Sequence, residues 1–452
     1  MEHFGFWSIV PTISVLIIAL FTRKTFEALL GGTLIGYLIV EQTNFFTGFT
    51  TSLLSVMQDA TIGWIILVCG LFGSLIQLVV HSGGALAFAN YLSKYIKNRK
   101  QALLTTWFLG LLIFIDDYLN ALTIGSTMKK ITDKFNVSRE MLAYIVDSTA
   151  APICVLIPLS TWAIYLAGLL EANEIAATGE GLQTYISIIP YMTYGWVAAI
   201  IVPLVALGVV PKLGAMKKAE KRAASGEVVP PNSNAIALKI QADEAVPNAK
   251  FSYFLFPILV LIGATIFFEI DALKGVMTSI VFTAIYFMAV KVMDLKQTME
   301  YAFDGFKTMI YALSIIVMSF VLKNVNDQLG LTQFIIETVS PWMDKSLLPA
   351  IAFVALSFVT FSTGSFWGVY AISFPIIIPL AQSLDMHMGL AIGSVISAGA
   401  FGSHACFYGD ATVLSSSATG CNNMAHVVTQ FPYALLAGVI SVLIYLVLGF
   451  SM

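Results

Sequence analysis

The chain has 452 residues, of which 58% are hydrophobic and 11% charged, with a formal net charge of −3 and a mean hydropathy of +0.86. A soluble domain carries about 25% charged residues, so this composition excludes an ordinary water-facing surface. The charge balance gives no signal for nucleic acid, and no such partner is expected.

In chain order, several apolar runs reach or approach the ~20 residues that cross a bilayer as a helix. Phe4–Phe21 reads as a retained span, because it lacks the basic region and small-residue cleavage site of a signal peptide. Phe26–Val40 and Ile62–Val80 follow. Lys and Arg cluster at 23–24, 94–100, 129–139, 212–250 and 291–296, and the positive-inside rule assigns these segments to the cytoplasm. Segments 41–59 and 171–183 contain neither residue and face out. Gly84–Lys100, of mixed polarity, lies along the inner face. Ala102–Met128 has basic residues at both ends, so it starts and finishes inside. It reads as a re-entrant hairpin, with a helical arm on each side of Asp116 and Asp117. Met141–Leu170 crosses next, interrupted by Pro152 and Pro158, and Ile186–Pro211 returns. Residues 212–250 are basic and then rich in Ala, Asn and Pro, the composition of a flexible cytoplasmic linker.

The second half runs in the opposite sense. Phe251–Phe268, Gly275–Val292 and Gly305–Leu322 are spans, and Asn324–Lys345 is an outer segment. Leu348–Gln382 is a hairpin broken at FSTGSFWG (Phe361–Gly368), Gly389–Ala425 is a second interrupted helix, and Tyr433–Phe450 ends outside, as the N-terminus begins. The expected fold is an all-α polytopic membrane protein with two inverted-topology repeats, each holding a re-entrant hairpin and a broken helix. That is the pattern of a secondary transporter. FIDDYLNA (Phe114–Ala121) and FSTGSFWG share only Phe114 and Phe361, so the order of elements carries the repeat.

Asp116, Asp117, Asp147 and Asp410 lie in these interrupted segments, with no Lys or Arg beside them. An Asp at the bilayer centre costs about 2.5–3.5 kcal/mol on insertion scales, and two adjacent carboxylates cannot both ionise cheaply without a counter-charge. A mobile cation or a proton supplies the missing partner, and Asp117, Asp147 and Asp410 are the candidate Na+ ligands. The structural alternative is that an acid caps a half-helix or bonds backbone freed by Pro. Polar side chains surround each break: Asn120 after the first hairpin centre, Ser148, Thr149, Ser160 and Thr161 around the prolines, Ser362, Thr363 and Ser365 around Gly364, and Thr412, Ser415 and Ser416 after Asp410. Hydroxyls and freed carbonyls suit Na+, and half-helix N-termini suit a carboxylate; small residues also permit close helix packing. Tyr118 and Trp367 either line an organic pocket or pack.

Cys69, Cys154, Cys406 and Cys421 read as buried free thiols. His404, Cys406, Cys421 and His426 match no zinc spacing. The chain has no Walker A pattern, nucleophile–base pair or metal cluster, so no enzyme activity is expected, and no cofactor beyond transported Na+ and H+.

The block Phe114–Trp162, with GDATVLSSSATGCNN (Gly409–Asn423), resembles the NhaC-type Na+/H+ antiporter family. Members often carry a GDK-x-SP-x-SDTT-like stretch; here Asp410 is kept, Ala411 stands at the Lys, and Ser415–Ser417 replace the Asp-bearing part. The resemblance implies an ion-coupled secondary active transporter of the bacterial inner membrane, exchanging Na+ for H+ on shared carboxylates. The alternative is Na+-coupled symport or exchange of a small amino acid or carboxylic acid. The wider superfamily implies a lipid-embedded homodimer of elevator type. Scaffold spans would be 1–100 and 251–347, transport elements 101–170 and 348–430, a connecting span 171–211, the linker 212–250 and a C-terminal span 431–452.

Overall fold

A computed structural model describes residues 3–452 apart from 23, 85–86, 89–90, 92–93, 115–116, 159, 178, 232, 234–248, 270, 340–343 and 365. The described residues are helical and contain no strand. Four helical stretches among them are long and apolar enough to cross a membrane: Ile62–His81, Ala272–Ala289, Met388–Thr419 and Asn423–Ser451. A fifth is the pair Gly181–Tyr191 and Thr193–Leu207, bent by 57°. The chain is a polytopic α-helical membrane protein.

The first half contains α1 (Val10–Thr22), α2 (Thr25–Glu41), α3 (Phe45–Gln58) and α4 (Ala60–His81). Two helices follow, α5 (Arg99–Leu112) and α6 (Asp117–Lys134), then the interrupted series α7 (Arg139–Thr149), α8 (Ala151–Cys154) and α9 (Thr161–Ala172). The bent pair is α10 (Gly181–Ile188) and α11 (Thr193–Leu207). After α12 (Gly214–Ala224) come α13 (Ser252–Phe267), α14 (Ala272–Ala289), α15 (Leu295–Thr308), α16 (Ile310–Gln328) and α17 (Leu331–Val339). A helix pair broken at Gly364, α18 (Leu348–Thr363) and α19 (Phe366–Ser383), precedes a second interrupted helix, α20 (Met388–Ala405) and α21 (Asp410–Thr419). The long α22 (Asn423–Ser451) closes the chain.

Both expected hairpin segments contain a helix break, between Leu112 and Asp117 and at Gly364. α18 ends because Gly364 adopts φ +66°, a left-handed conformation that costs a residue without Cβ little. α7 stops at Ala150, and Pro152 opens α8, where a missing N–H is harmless.

Segment 41–59, expected to face out, contains a helix, α3, whose Phe49, Ser52 and Val56 are buried. Its Thr and Ser dilute its hydropathy but leave one packed face. The expected span Gly305–Leu322 begins instead at Ile310, and α15 before it packs on α4. There Gly73 and Gly305 bring two backbones together: a Cβ on either would lie about 2.5 Å or less from the other's carbonyl oxygen.

The expected flexible linker starts as the docked helix α12, because Met216, Ala219 and Ala223 are buried and two carboxylates near it are held by fixed cations. Glu220 pairs with Arg99 and Lys212 and accepts from the Ser138 N–H and hydroxyl at 3.1 and 2.9 Å. Arg222 grips both oxygens of Glu140 at 2.9 and 2.7 Å. Burial lowers the Arg99 pKa; burial and then the nearby Arg99 charge lower that of Lys212. Residues 234–248 of this linker lie outside the described residues.

Two apolar cores meet at the centre of the chain's polar groups. One joins residues of α1–α4, α6 and α16 to Phe407, Leu414 and Val427; the other joins α7–α11 to α18–α20 and Tyr445. Val146 belongs to the first and Ile145 to the second, so Asp147 sits at the seam.

Candidate functional site

The breaks are stitched together before any acid is considered. The Asn120 amide nitrogen donates to the carbonyls of Gly110 (2.7 Å), Ile113 (2.8 Å) and Thr149 (2.9 Å). It ties both arms of the first hairpin to the end of α7. The Cys154 thiol reaches the Phe114 carbonyl at 3.3 Å, and the Cys406 thiol reaches the Phe361 carbonyl at 3.2 Å. Close approach recurs too. A Cβ on Gly110 would lie 2.2 Å from Thr149 Oγ1, and one on Gly402 would lie 2.2 Å from Thr360 Cβ.

Asp147 is fully buried near the C-terminal end of α7. Its Oδ2 accepts from Gln430 Nε2 at 2.5 Å and lies 3.1 Å from His426 Nε2. Both partners belong to α22 and are four residues apart, hence on one helical face. Gln430 Nε2 also donates to the His404 carbonyl at 2.5 Å. His404 itself is satisfied on both sides. Ser148 Oγ donates to the Tyr144 carbonyl at 2.6 Å, so it accepts from His404 Nε2 at 3.0 Å; Tyr194 OH then donates to Nδ1 at 2.7 Å. No Lys or Arg pairs with Asp147 among the described residues.

Asp410 opens α21 and is 3% exposed. Its Oδ2 accepts from Tyr118 OH, and its Oδ1 accepts from the Ala411 N–H at 2.8 Å. Tyr118 lies on α6, in the first half. Each half therefore holds the other's acid: α22 holds Asp147, and α6 holds Asp410. Asp117 starts α6 and is 1% exposed; Asp116 and Ser365 lie outside the described residues. Among the described residues no three His, Cys, Asp or Glu side chains are grouped to hold one ion, so Asp117, Asp147 and Asp410 do not form a single three-carboxylate centre.

The hydroxyls divide. Ser160 caps α9, accepting from the Ala163 N–H at 3.1 Å and donating to the Cys154 carbonyl at 2.6 Å. Thr149 bonds back into its own helix, and Thr412 donates to the Ser403 carbonyl at 3.2 Å. Ser416 bonds Val413 and Asn423. By contrast, the buried hydroxyls of Ser362, Ser403 and Ser415 have no protein partner among the described residues. The Ser362 carbonyl is engaged, accepting from Tyr408 OH at 2.7 Å. Thr363 is buried in α18, just before Gly364, while Thr161 begins α9 and Trp367 lies in the first turn of α19. The four cysteines are free and buried.

His404, His426, Gln430 and Tyr194 were not legible as Asp147's surroundings. The available signal was the i, i+4 spacing of His426 and Gln430 inside an otherwise apolar helix.

The family model described as "Na+/H+ antiporter family" matches residues 174–450. The chain belongs to the Na+/H+ antiporter family. This antiporter-family protein is also 29% identical to an uncharacterized protein of Haemophilus influenzae, over 98% of this chain and 91% of that one. The matched stretch of the antiporter family includes His404, Asp410, His426 and Gln430, whereas Asp117, Tyr118 and Asp147 precede it.

Proposed function

We propose that the protein is a Na+/H+ antiporter of the NhaC type, in which Asp147 and Asp410, with Asp117 beside the first break, serve Na+ and H+ in turn. The observation that carries this reading is the pair of buried acids on the two interrupted helices, with no Lys or Arg partner among the described residues for Asp147 or Asp410. A buried carboxylate without a fixed cation favours either a proton or a visiting cation. Competition between the two is exchange.

The inverted-repeat reading draws support from bonds made twice. Cys154 with the Phe114 carbonyl and Cys406 with that of Phe361 join broken helix to hairpin in each half. Gly110 against Thr149 and Thr360 against Gly402 repeat the same close approach, with the small residue exchanged. The elevator assignment places 101–170 and 348–430 in the moving part of a homodimer, and the basic end around α12 in the cytoplasm of a bacterial inner membrane. The open hydroxyls of Ser362, Ser403 and Ser415 favour a second reading, Na+-coupled movement of a small amino or carboxylic acid, because they can donate to a carboxylate.

Reconstituted protein should move protons outward from acid-loaded vesicles when Na+ is added. Asp410→Asn should reduce that flux at least about tenfold, a change of ~1.4 kcal/mol. Unchanged flux in the variant removes Asp410 from the mechanism. Saturable uptake of one organic acid, without Na+-driven proton flux, replaces the first reading with the second.

A further inference from the structure

Three neighbouring side chains at the seam each leave a buried polar atom without a partner among the described residues, and two of these atoms are oxygens that can only accept. Asp147 Oδ1, Gln430 Oε1 and His426 Nδ1 are all buried and unpartnered among the described residues. The Gln430 amide cannot be turned over to cure this. Its Nε2 faces two acceptors, Asp147 Oδ2 and the His404 carbonyl, each at 2.5 Å. Exchanging nitrogen for oxygen would set three oxygens against one another. The amide oxygen is therefore fixed as the outward acceptor. His426 Nε2 faces the same Oδ2 of Asp147 at 3.1 Å, leaving Oδ1 free of it.

Donorless buried oxygens on side chains bonded to one another are costly unless a positive ligand reaches them. Hard cations such as Na+ take oxygen ligands: carboxylates, amide carbonyls and backbone carbonyls. We propose that the cation bound at Asp147 is coordinated by Asp147 Oδ1 together with the side-chain carbonyl oxygen of Gln430, and that Gln430 is a ligand that selects the ion. His426 is a positioning residue: it holds Oδ2 and leaves Oδ1 to the cation. His404 holds the other side of the Gln430 amide through its carbonyl, and its own ring is locked by Ser148 and Tyr194. The ligand is a small monovalent alkali cation, since one anionic oxygen plus neutral oxygens balances a single positive charge. The inference rests on the proposed exchange of Na+ for H+ only in the choice of ion.

The test is Gln430→Leu, which keeps the side chain's bulk and removes its oxygen. Two readouts are taken on the full-length protein: the rise in melting temperature with added Na+, Li+ or K+ in detergent, and Na+-driven proton flux in vesicles. The expected result is a half-saturating Na+ concentration raised at least about tenfold in both, with a changed Na+/Li+ preference. A lowered melting temperature with the Na+ response and Na+/Li+ preference within about twofold of wild type marks Gln430 as structural and overturns the proposal. Should Gln430→Leu not fold, Gln430→Asn gives the second measurement: its shorter reach must still shift the Na+ concentration dependence, and an unshifted curve overturns the assignment. If wild type shows no Na+-driven proton flux but Na+ stabilises it through Gln430, the antiport reading fails and the site stands. If no alkali cation stabilises wild type, the site falls, whatever the flux.

Discussion

Asp147 and Asp410 are the same residue type, equally buried, each on an interrupted helix and each held by the opposite half, yet their electrostatic settings are opposed. Asp410 is the first residue of α21, where the unpaired N–H groups and helix dipole favour a negative charge. Each of its oxygens takes one donor, Tyr118 OH and the Ala411 N–H. Asp147 lies two residues before the end of α7, where the dipole disfavours an anion. Both of its donors crowd onto Oδ2, and Oδ1 has none. Asp410 has a donor on each oxygen, whereas Asp147 leaves one oxygen without any among the described residues. Identical residues on the two interrupted helices thus sit in different settings, and the proposed cation site is the one at Asp147.

That contrast can be broken most directly at Asp147. Asp147→Asn should abolish the rise in melting temperature with Na+, shifting half-saturation by at least about tenfold, while costing little stability in Na+-free buffer, because it removes an ill-placed charge. A Na+ response that survives would move the cation elsewhere. The complementary variant is Tyr118→Phe. It deletes a hydrogen bond to a buried charged group and should lower stability by about 1.5–3 kcal/mol with Na+ absent or present. A stability loss confined to Na+-containing buffer would tie the Tyr118 contact to cation binding instead.

The smallest effect is expected where a third Asp occupies a helix start in water. Asp271 caps α14, accepting from the Lys274 N–H at 3.0 Å and pairing with its ammonium at 3.0 Å. Partial burial acts to raise its pKa, but these Lys274 interactions outweigh it and the net shift is downward. A depressed folded value means that the cap's contribution is complete above the ordinary carboxylate range and fades as pH falls through the folded pKa. Asp271→Ala should therefore cost about 1 kcal/mol at neutral pH, and less in acid. Urea or thermal titration at the two pH values measures it. A cost that grows in acid would reverse the sign of the argument.

Much of the architecture was readable because its causes are local. Hydropathy marked the long spans, Gly364 and Pro152 marked breaks, and the acidic pair inside Ala102–Met128 marked the region where one helix ends and the next begins. α3 and the join between α15 and α16 at Met309 were missed, because Ser, Thr and Lys blurred the apolar period while packing alone settled the boundaries.

Composition alone determined that this chain lives in a membrane, and the sequence placed its acids in apolar segments with no Lys or Arg beside them. Only the tertiary structure decided which acid is satisfied and which is open. Tyr118 meets Asp410 across 292 residues, and His426 meets Asp147 across 279. Hydropathy and helix breakers act over a few turns of chain, whereas a hydrogen-bond partner several hundred residues away is chosen by how the helices pack.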